Sequence, residues 1–334
     1  MKKNILLVGI AAAMIAGVCG CGRSVSYDIN LDEYVTVGNY KGVEITSEEI
    51  EKNYDEAVEQ IKTQYTTSSD VTDRGIKKDD VVSVDYTLKS GDNEIDKQSS
   101  FSVTVGEGKV GFDDALLDKK TDDTFTHTVT LPEDYSKTDY AGKEATYSVT
   151  VKKVSERNIP EINDAFIAEK YGDTYSSLAD FTEKSKENIR KNLLWDKVKS
   201  DTKFISYPEN NVKVYYENYV DYYTNMYQSY ANSMGTTIES IYSMFGTSQS
   251  AIYKQSADAA VNDVENELLA LSIAEKENIT VDDATYDAKI EEIYSTYGYE
   301  SAKEMQKAIG KDAVKRMIIN NLVIDLINDS ATQK

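Results

Sequence analysis

The 334 residues predict an α+β protein, in which a small antiparallel β-sheet with one covering helix precedes an all-helical region. Three observations carry that reading. From Asp79 to Val154 apolar and polar residues alternate with period two, the pattern of half-buried strands. Beyond Pro160 the apolar period changes to three and four residues, that of amphipathic helices. Upstream of the sheet, a single helical stretch opens at Thr46.

Taken in order, Met1-Lys2-Lys3 is a positive leader and Ile5 to Val18 an apolar run too short to span a bilayer comfortably, so residues 1–20 read as a secretory signal. The run ends at Val18-Cys19-Gly20-Cys21, which resembles a lipobox. A small residue should precede the acylated cysteine, so Gly20 favours Cys21 over Cys19 as the lipidation site; a plain signal with an incidental cysteine pair is the alternative. These are the only two cysteines, so the mature chain is expected to rely on its core and not on disulfides. Residues 21–39 show no period and are expected to form a tether. With Lys+Arg 37 against Asp+Glu 58, net charge -21, the surface repels nucleic acid and anionic lipid. Membrane contact is therefore expected through the N-terminal lipid.

Residues 40–70 read as a short strand, Tyr40 to Ile45, and a helix. Thr46 and Glu49 have the spacing of a capping box, after which Ile50, Tyr54, Ala57, Val58 and Ile61 share one face. Thr66 to Asp70 breaks it. In residues 71–156 strands are expected around Val82–Tyr86, Phe101–Val105, Phe125–Val129 and Tyr147–Val151, with a short helix over Gly111 to Leu117. Gly106-Glu107-Gly108-Lys109-Val110-Gly111 has the literal spacing of a dinucleotide loop, but the short helix and the following Pro132 strand do not make a βαβ crossover. His127, the single histidine, alternates with Phe125 and Val129 and reads as a structural strand residue on the opposite face or at an edge. No Cys/His cluster offers a zinc site and no metal or cofactor is expected; Asp79-Asp80, Asp113-Asp114 and Asp282-Asp283 read as turns and helix starts.

Residues 157–334 carry helices from near Ser177 through Val198, from Pro208 to Gly235, from Ala251 to Glu277, from Thr280 through Tyr297, and from Gly310 onward. The second holds a stripe of Tyr215, Tyr216, Tyr219, Tyr222, Tyr223, Tyr227 and Tyr230. Tyrosine numbers 25 against 7 Phe and 1 Trp. A tyrosine pairs a rigid apolar ring with a polar tip, so the stripe, with Tyr219 and Tyr223 at its middle and Met226, Met234 and Met244 nearby, suits a groove gripping extended chains. Ordinary bundle core is the alternative.

Several runs together resemble the FKBP-type peptidyl-prolyl isomerase domain, in the version found in trigger factor: Asp80-Val81-Val82-Ser83-Val84-Asp85-Tyr86-Thr87, Gly111-Phe112-Asp113-Asp114, Leu131-Pro132-Glu133-Asp134-Tyr135, Ala141-Gly142-Lys143, and the exit from Val154 to Phe166. The resemblance implies that the sheet domain is inserted in a helical chaperone domain. It implies a pocket with Phe112 as floor under the proline ring, Tyr86 and Asp96 near the substrate carbonyl, and Tyr135, Phe101, Val110 and Tyr147 around them. Tyr86, Asp96, Phe112 and Tyr135 would be the catalytic set, and Phe101, Val110 and Tyr147 would bind substrate with Tyr219 and Tyr223. The sequence departs from the family in having Ile95 before Asp96, Leu88 after Tyr86-Thr87, and no Ile-Pro between Val110 and Gly111. The last departure shortens the loop that caps the pocket.

The expected protein is an exported, lipid-anchored prolyl isomerase and chaperone whose partners are unfolded or nascent secreted polypeptides. A ribosome-docking domain has no counterpart, so ribosome binding is not implied. A polypeptide-binding lipoprotein without catalysis and a solute-binding lipoprotein are the other classes compatible with an anchor.

Overall fold

The computed structural model describes residues 25–334. The described residues divide into two compact units, residues 25–57 with Ala179–Lys334, and Val58–Leu178. In chain order the elements are β1 (Val35–Thr36), β2 (Glu44–Ile45), α1 (Ser47–Tyr65), β3 (Thr67–Asp70), β4 (Val81–Ser90), β5 (Asn93–Thr104), β6 (Thr124–Thr130), β7 (Glu144–Asn158), α2 (Asp164–Tyr171), α3 (Leu178–Asp201), β8 (Lys203–Phe204), α4 (Glu209–Met234), α5 (Ile238–Met244), α6 (Gln249–Glu277), α7 (Asp283–Ile293), α8 (Ala302–Ile309), α9 (Lys311–Ser330) and β9 (Thr332–Gln333). The class is α+β, as the two periodicities require.

The Val58–Leu178 unit is built on β7, which pairs with β4 along one edge and with β6 and β3 along the other, while β5 adds outside β4. Every pairing is antiparallel. Alternation places Val82, Val84, Val103, Val149 and Val151 on one face, where they pack with Phe112 and Leu116. Buried Asp80 fixes the turn leading into β4: its carboxylate accepts both guanidinium nitrogens of Arg74 and the Lys77 N–H. β3 was not foreseen, because the polar run Thr67 to Asp70 is exposed on both faces and has no apolar period.

The covering helix over 111–117 is instead a three-residue 3-10 turn, Asp114–Leu116. The Asp113 carboxylate, which could have capped a longer helix, turns back to accept the Gly106 N–H at 2.9 Å and the Gly108 N–H at 2.5 Å. Leu117 is already extended and Asp118 takes φ 61°. The same contacts decide against a dinucleotide loop, since the N–H groups that would cradle a phosphate hold the chain's own carboxylate. His127 lies on the same face as Phe125 and Val129, half-buried with them, while the intervening threonines are exposed; it does not face the other way.

The other unit is mostly helical, with two small sheets: β1 pairs antiparallel with β8, and β2, which falls in the strand expected over 40–45, pairs parallel with β9; β1, β8 and β9 were not foreseen. The two sheets deliver Val35 and Ile45 to the core. One cluster joins Ile45, Ile189, Leu194, Trp195, Leu269, Ile273, Val323 and Ile327; another joins Tyr286, Ile290, Met305, Val314 and Met317. The capping box forms as spaced, with the Glu49 N–H on Thr46 Oγ1 at 3.1 Å and the Thr46 N–H on Glu49 Oε2 at 2.8 Å. Pro208 is the residue before α4 and not its first turn, and Gly235 ends the helix at φ 63°.

Of the expected tether, residues 25–39 are packed down and not free. Val25 and Val35 are buried, and Tyr27, Ile29, Leu31 and Val37 lie against Val264 and Leu268 of α6. From Val25 to Leu31 covered and exposed residues alternate, with Ser26, Asp28 and Asn30 facing out, so the strap carries a short period of two that the reading as a tether missed. Cys21 lies outside the described residues.

Candidate functional site

On the core face of the sheet five aromatic or acidic side chains meet. Tyr86 leaves β4 beside a bulge, where the register shifts between Val84 and Tyr86, and its ring centroid lies 5.5 Å from Phe101, 5.5 Å from Phe112 and 5.6 Å from Tyr147. Phe112 and Tyr147 are 4.9 Å apart in an edge-to-face contact. Phe112 has no exposed surface and forms the floor, whereas Tyr86, Phe101 and Tyr147 are half-buried and form the rim. Val110 packs on the same cluster. Tyr135 sits at its border, with Tyr147 and Leu88, Ile95 and Leu131.

The polar side of the rim is Asp96. Its Oδ2 accepts the Tyr86 hydroxyl at 2.7 Å and its Oδ1 the Lys97 N–H at 2.8 Å. Burial, then the bond to Asp96, pushes the Tyr86 hydroxyl far above the ordinary phenol range, and burial likewise raises Tyr147. Both phenols therefore stay protonated and Tyr86 remains a donor at any working pH. The arrangement is an apolar cluster whose floor, Phe112, is covered by the rim rings, edged by a hydroxyl that a carboxylate holds.

The shortened loop leaves its mark at Gly111. A Cβ there would stand 3.1 Å from Tyr147 Cε2 and 3.4 Å from Val129 Cγ1. With no residues between Val110 and Gly111 to arch outward, the backbone runs onto the Tyr147 ring. Lys137, which sequence reasoning passed over, donates its Nζ to the Ile95 carbonyl and pins the Tyr135 loop next to Asp96. A separate trough of about 580 Å3 is lined by Asp85, Thr87, Thr124, Thr126, Ser148 and Thr150. By alternation these side chains face away from the rings, while Tyr86, Phe125 and Val149 of the opposite face also border the trough.

In the helical unit the tyrosine stripe divides along α4. Tyr219 is buried and donates its hydroxyl to Asp263 Oδ2 at 2.9 Å, so as a substrate contact it is corrected to a core residue. Tyr223 is half-buried, stacked 6.3 Å from Tyr219, with its hydroxyl accepting from Gln255. The stripe opens further on: Tyr222, Tyr230, Met234, Met244 and Phe245 are 46 to 61% exposed. Tyr230 and Tyr227 meet Phe245 at 5.7 and 5.8 Å. These residues make a continuous apolar surface over the end of α4 and α5.

The two regions match different family models. Residues 72–152 match the FKBP-type peptidyl-prolyl cis-trans isomerase family and residues 183–329 the C-terminus of bacterial trigger factor. The chain is similar to trigger factor of Staphylococcus epidermidis, at 25% identity over 325 residues, 91% of this chain and 73% of that one. It is similar to trigger factor of Levilactobacillus brevis at 27% over 318 residues, 90% of this chain and 71% of the relative, and to that of Agathobacter rectalis at 27% over 319 residues, with the same shares. A solved structure described as "Promiscuous Substrate Recognition in Folding and Assembly Activities of the Trigger Factor Chaperone" is similar at 17% identity and a TM-score of 0.31, covering 88% of this chain and 72% of that one. The chain is thus a trigger-factor-like protein, one that carries an FKBP-type peptidyl-prolyl isomerase domain and a trigger factor C-terminal domain.

Proposed function

We propose that this chain is an exported, lipid-anchored folding factor, acylated at Cys21, that isomerises prolyl bonds in secreted polypeptides and holds them on the open end of its tyrosine stripe. The observation that carries the catalytic half is the Tyr86–Asp96 hydrogen bond standing over the Phe112 floor. Rotation about a prolyl C–N bond faces a barrier of about 18 to 20 kcal/mol because resonance gives that bond double-bond character. A proline ring seated on the aromatic floor puts its preceding carbonyl in a desolvated setting, which disfavours the charge-separated resonance form and favours the twisted imide. Tyr86, Asp96, Phe112 and Tyr135 would act on the imide, and Phe101, Val110 and Tyr147 would hold the flanking chain. The holding function rests on the exposed aromatic and methionine surface, whose rings grip without demanding one sequence. Tyr223 would extend that surface.

A second reading, a chaperone without catalysis, is favoured by one feature: Gly111 runs against Tyr147, and Phe112 is wholly covered by its neighbours. A protease-coupled isomerisation assay separates the two. The catalytic reading expects acceleration that falls at least about tenfold in Tyr86→Phe and vanishes in Phe112→Ala. Wild-type chain that leaves the uncatalysed rate unchanged yet suppresses aggregation of an unfolded client establishes the second reading.

A further inference from the structure

The first described residues are clamped at the start of α4. The Asn211 side chain donates its Nδ2 to the Ser26 carbonyl at 2.8 Å and accepts the Ser26 N–H at 3.3 Å. Val25 beside it is buried, and the Arg316 guanidinium covers the Tyr27 ring at 6.0 Å. Tyr27, Ile29 and Leu31 then follow α6, and Val35 and Thr36 pair with Phe204 and Lys203. Only Gly22, Arg23 and Ser24 separate Val25 from Cys21. Four Cα steps reach at most about 14 Å.

We propose that the clamped strap makes the start of α4, around Glu209 to Lys213, the bilayer-facing point of the helical unit, and so sets the reach of its client surface. This rests on acylation of Cys21 as proposed above. α4 rises about 1.5 Å per residue, so Tyr230, nineteen residues beyond Asn211, lies about 29 Å along it. Phe245 touches Tyr230 at 5.7 Å. The aromatic surface therefore works within about 45 Å of the anchor. A free tether over residues 21–39 would by itself extend to about 60 Å and let the unit roam. The partner implied is a polypeptide met at the membrane surface. The chain's net charge of -21 disfavours adhesion to anionic lipid, so the covalent strap and not adsorption positions the unit.

The test uses the acylated full chain in phosphatidylcholine vesicles that carry headgroup-labelled phosphatidylethanolamine as energy-transfer acceptor. Because Cys21 is the only cysteine left after processing at that site and is itself acylated, Glu209→Cys or Met244→Cys supplies the single free thiol for a donor. The expected result is strong transfer from position 209, a donor at 244 no more than about 45 Å from the headgroups, and transfer from 209 reduced at least twofold when twenty Gly/Ser residues are inserted between Ser24 and Val25. The insertion lies before the strap and leaves the fold alone. Transfer from 209 that is weak at the outset or unmoved by the insertion overturns the proposal while leaving the anchor intact. Chain that neither floats with vesicles nor carries acyl mass on Cys21 overturns the anchor, and the proposal with it.

Discussion

Asp263 is a buried carboxylate of the helical core that has no ion-pair partner among the described residues, its oxygen receiving the Tyr219 hydroxyl at 2.9 Å. Burial first, and then the charge of Glu267 one turn on, push it up to about 7, against the lowering by Tyr219 and by Lys199. The folded chain thus keeps a proton that the unfolded chain releases above about pH 4, so this residue's contribution to stability is full below about pH 4 and is lost as pH rises toward 7. Asp263→Asn should abolish that slope and stabilise the chain at pH 8 by up to about 4 kcal/mol, which denaturant titrations at pH 4, 6 and 8 will show; a variant that is less stable at pH 8 contradicts it. The pair was invisible in the sequence because a lone aspartate between Val261 and Val264 looks like any solvated helix position, and its partner stands forty-four residues away. Tyr86, Asp96 and Phe112 were legible for the opposite reason. Tyr86 and Phe112 sit in runs that carry the family resemblance, Asp96 was placed near them by that resemblance alone, and the structure brings the three together.

Helix and strand positions followed the two periods closely, but which face of an element meets solvent did not. In α4 one stripe serves two purposes: Tyr219 closes the core, while Tyr230 and Met234 emerge beyond the end of the neighbouring helices' cover. The spacing of tyrosines is the same throughout, so only packing separates the two stretches. Replacing both Tyr230 and Phe245 by Ser should abolish suppression of client aggregation without lowering the melting temperature. Tyr219→Phe should leave suppression intact and cost about 1–2 kcal/mol, the net loss of a buried hydrogen bond. Light scattering and thermal melts of the two variants decide it, and a reversed pattern contradicts the division. At α1 the reciprocal Thr46–Glu49 bonds were readable because a capping box is local chemistry. Thr46→Ala should destabilise by about 1 kcal/mol, measured as a shift in denaturant midpoint. The covering helix was not readable to its true length, because Asp113 spends its carboxylate on a loop five to seven residues upstream.

At the scale of the molecule, the chain leaves the helical unit, builds the sheet unit and returns. Period change alone marks where the sheet ends, but only the family resemblance implied that the helix before it belongs with those after it. The return is completed at the C-terminus, where β9 adds to β2: the Thr332 and Lys334 N–H groups donate to the Val43 and Ile45 carbonyls at 3.0 and 2.9 Å, and the Ser47 N–H to the Lys334 carbonyl at 3.0 Å. Removing residues 331–334 should therefore weaken the helical unit by about 2–4 kcal/mol, at roughly 1 kcal/mol for each bond lost. Unchanged stability would show that the parallel pair does not close the fold. The central claim, that the Phe112 floor with its Tyr86–Asp96 rim turns over prolyl bonds, is tested most directly by NMR exchange spectroscopy of a short Xaa-Pro peptide with the full chain. Catalysis gives cis–trans exchange cross-peaks within seconds at substoichiometric protein, absent with Phe112→Ala. Exchange that stays at the uncatalysed tens to hundreds of seconds with the wild-type chain contradicts it.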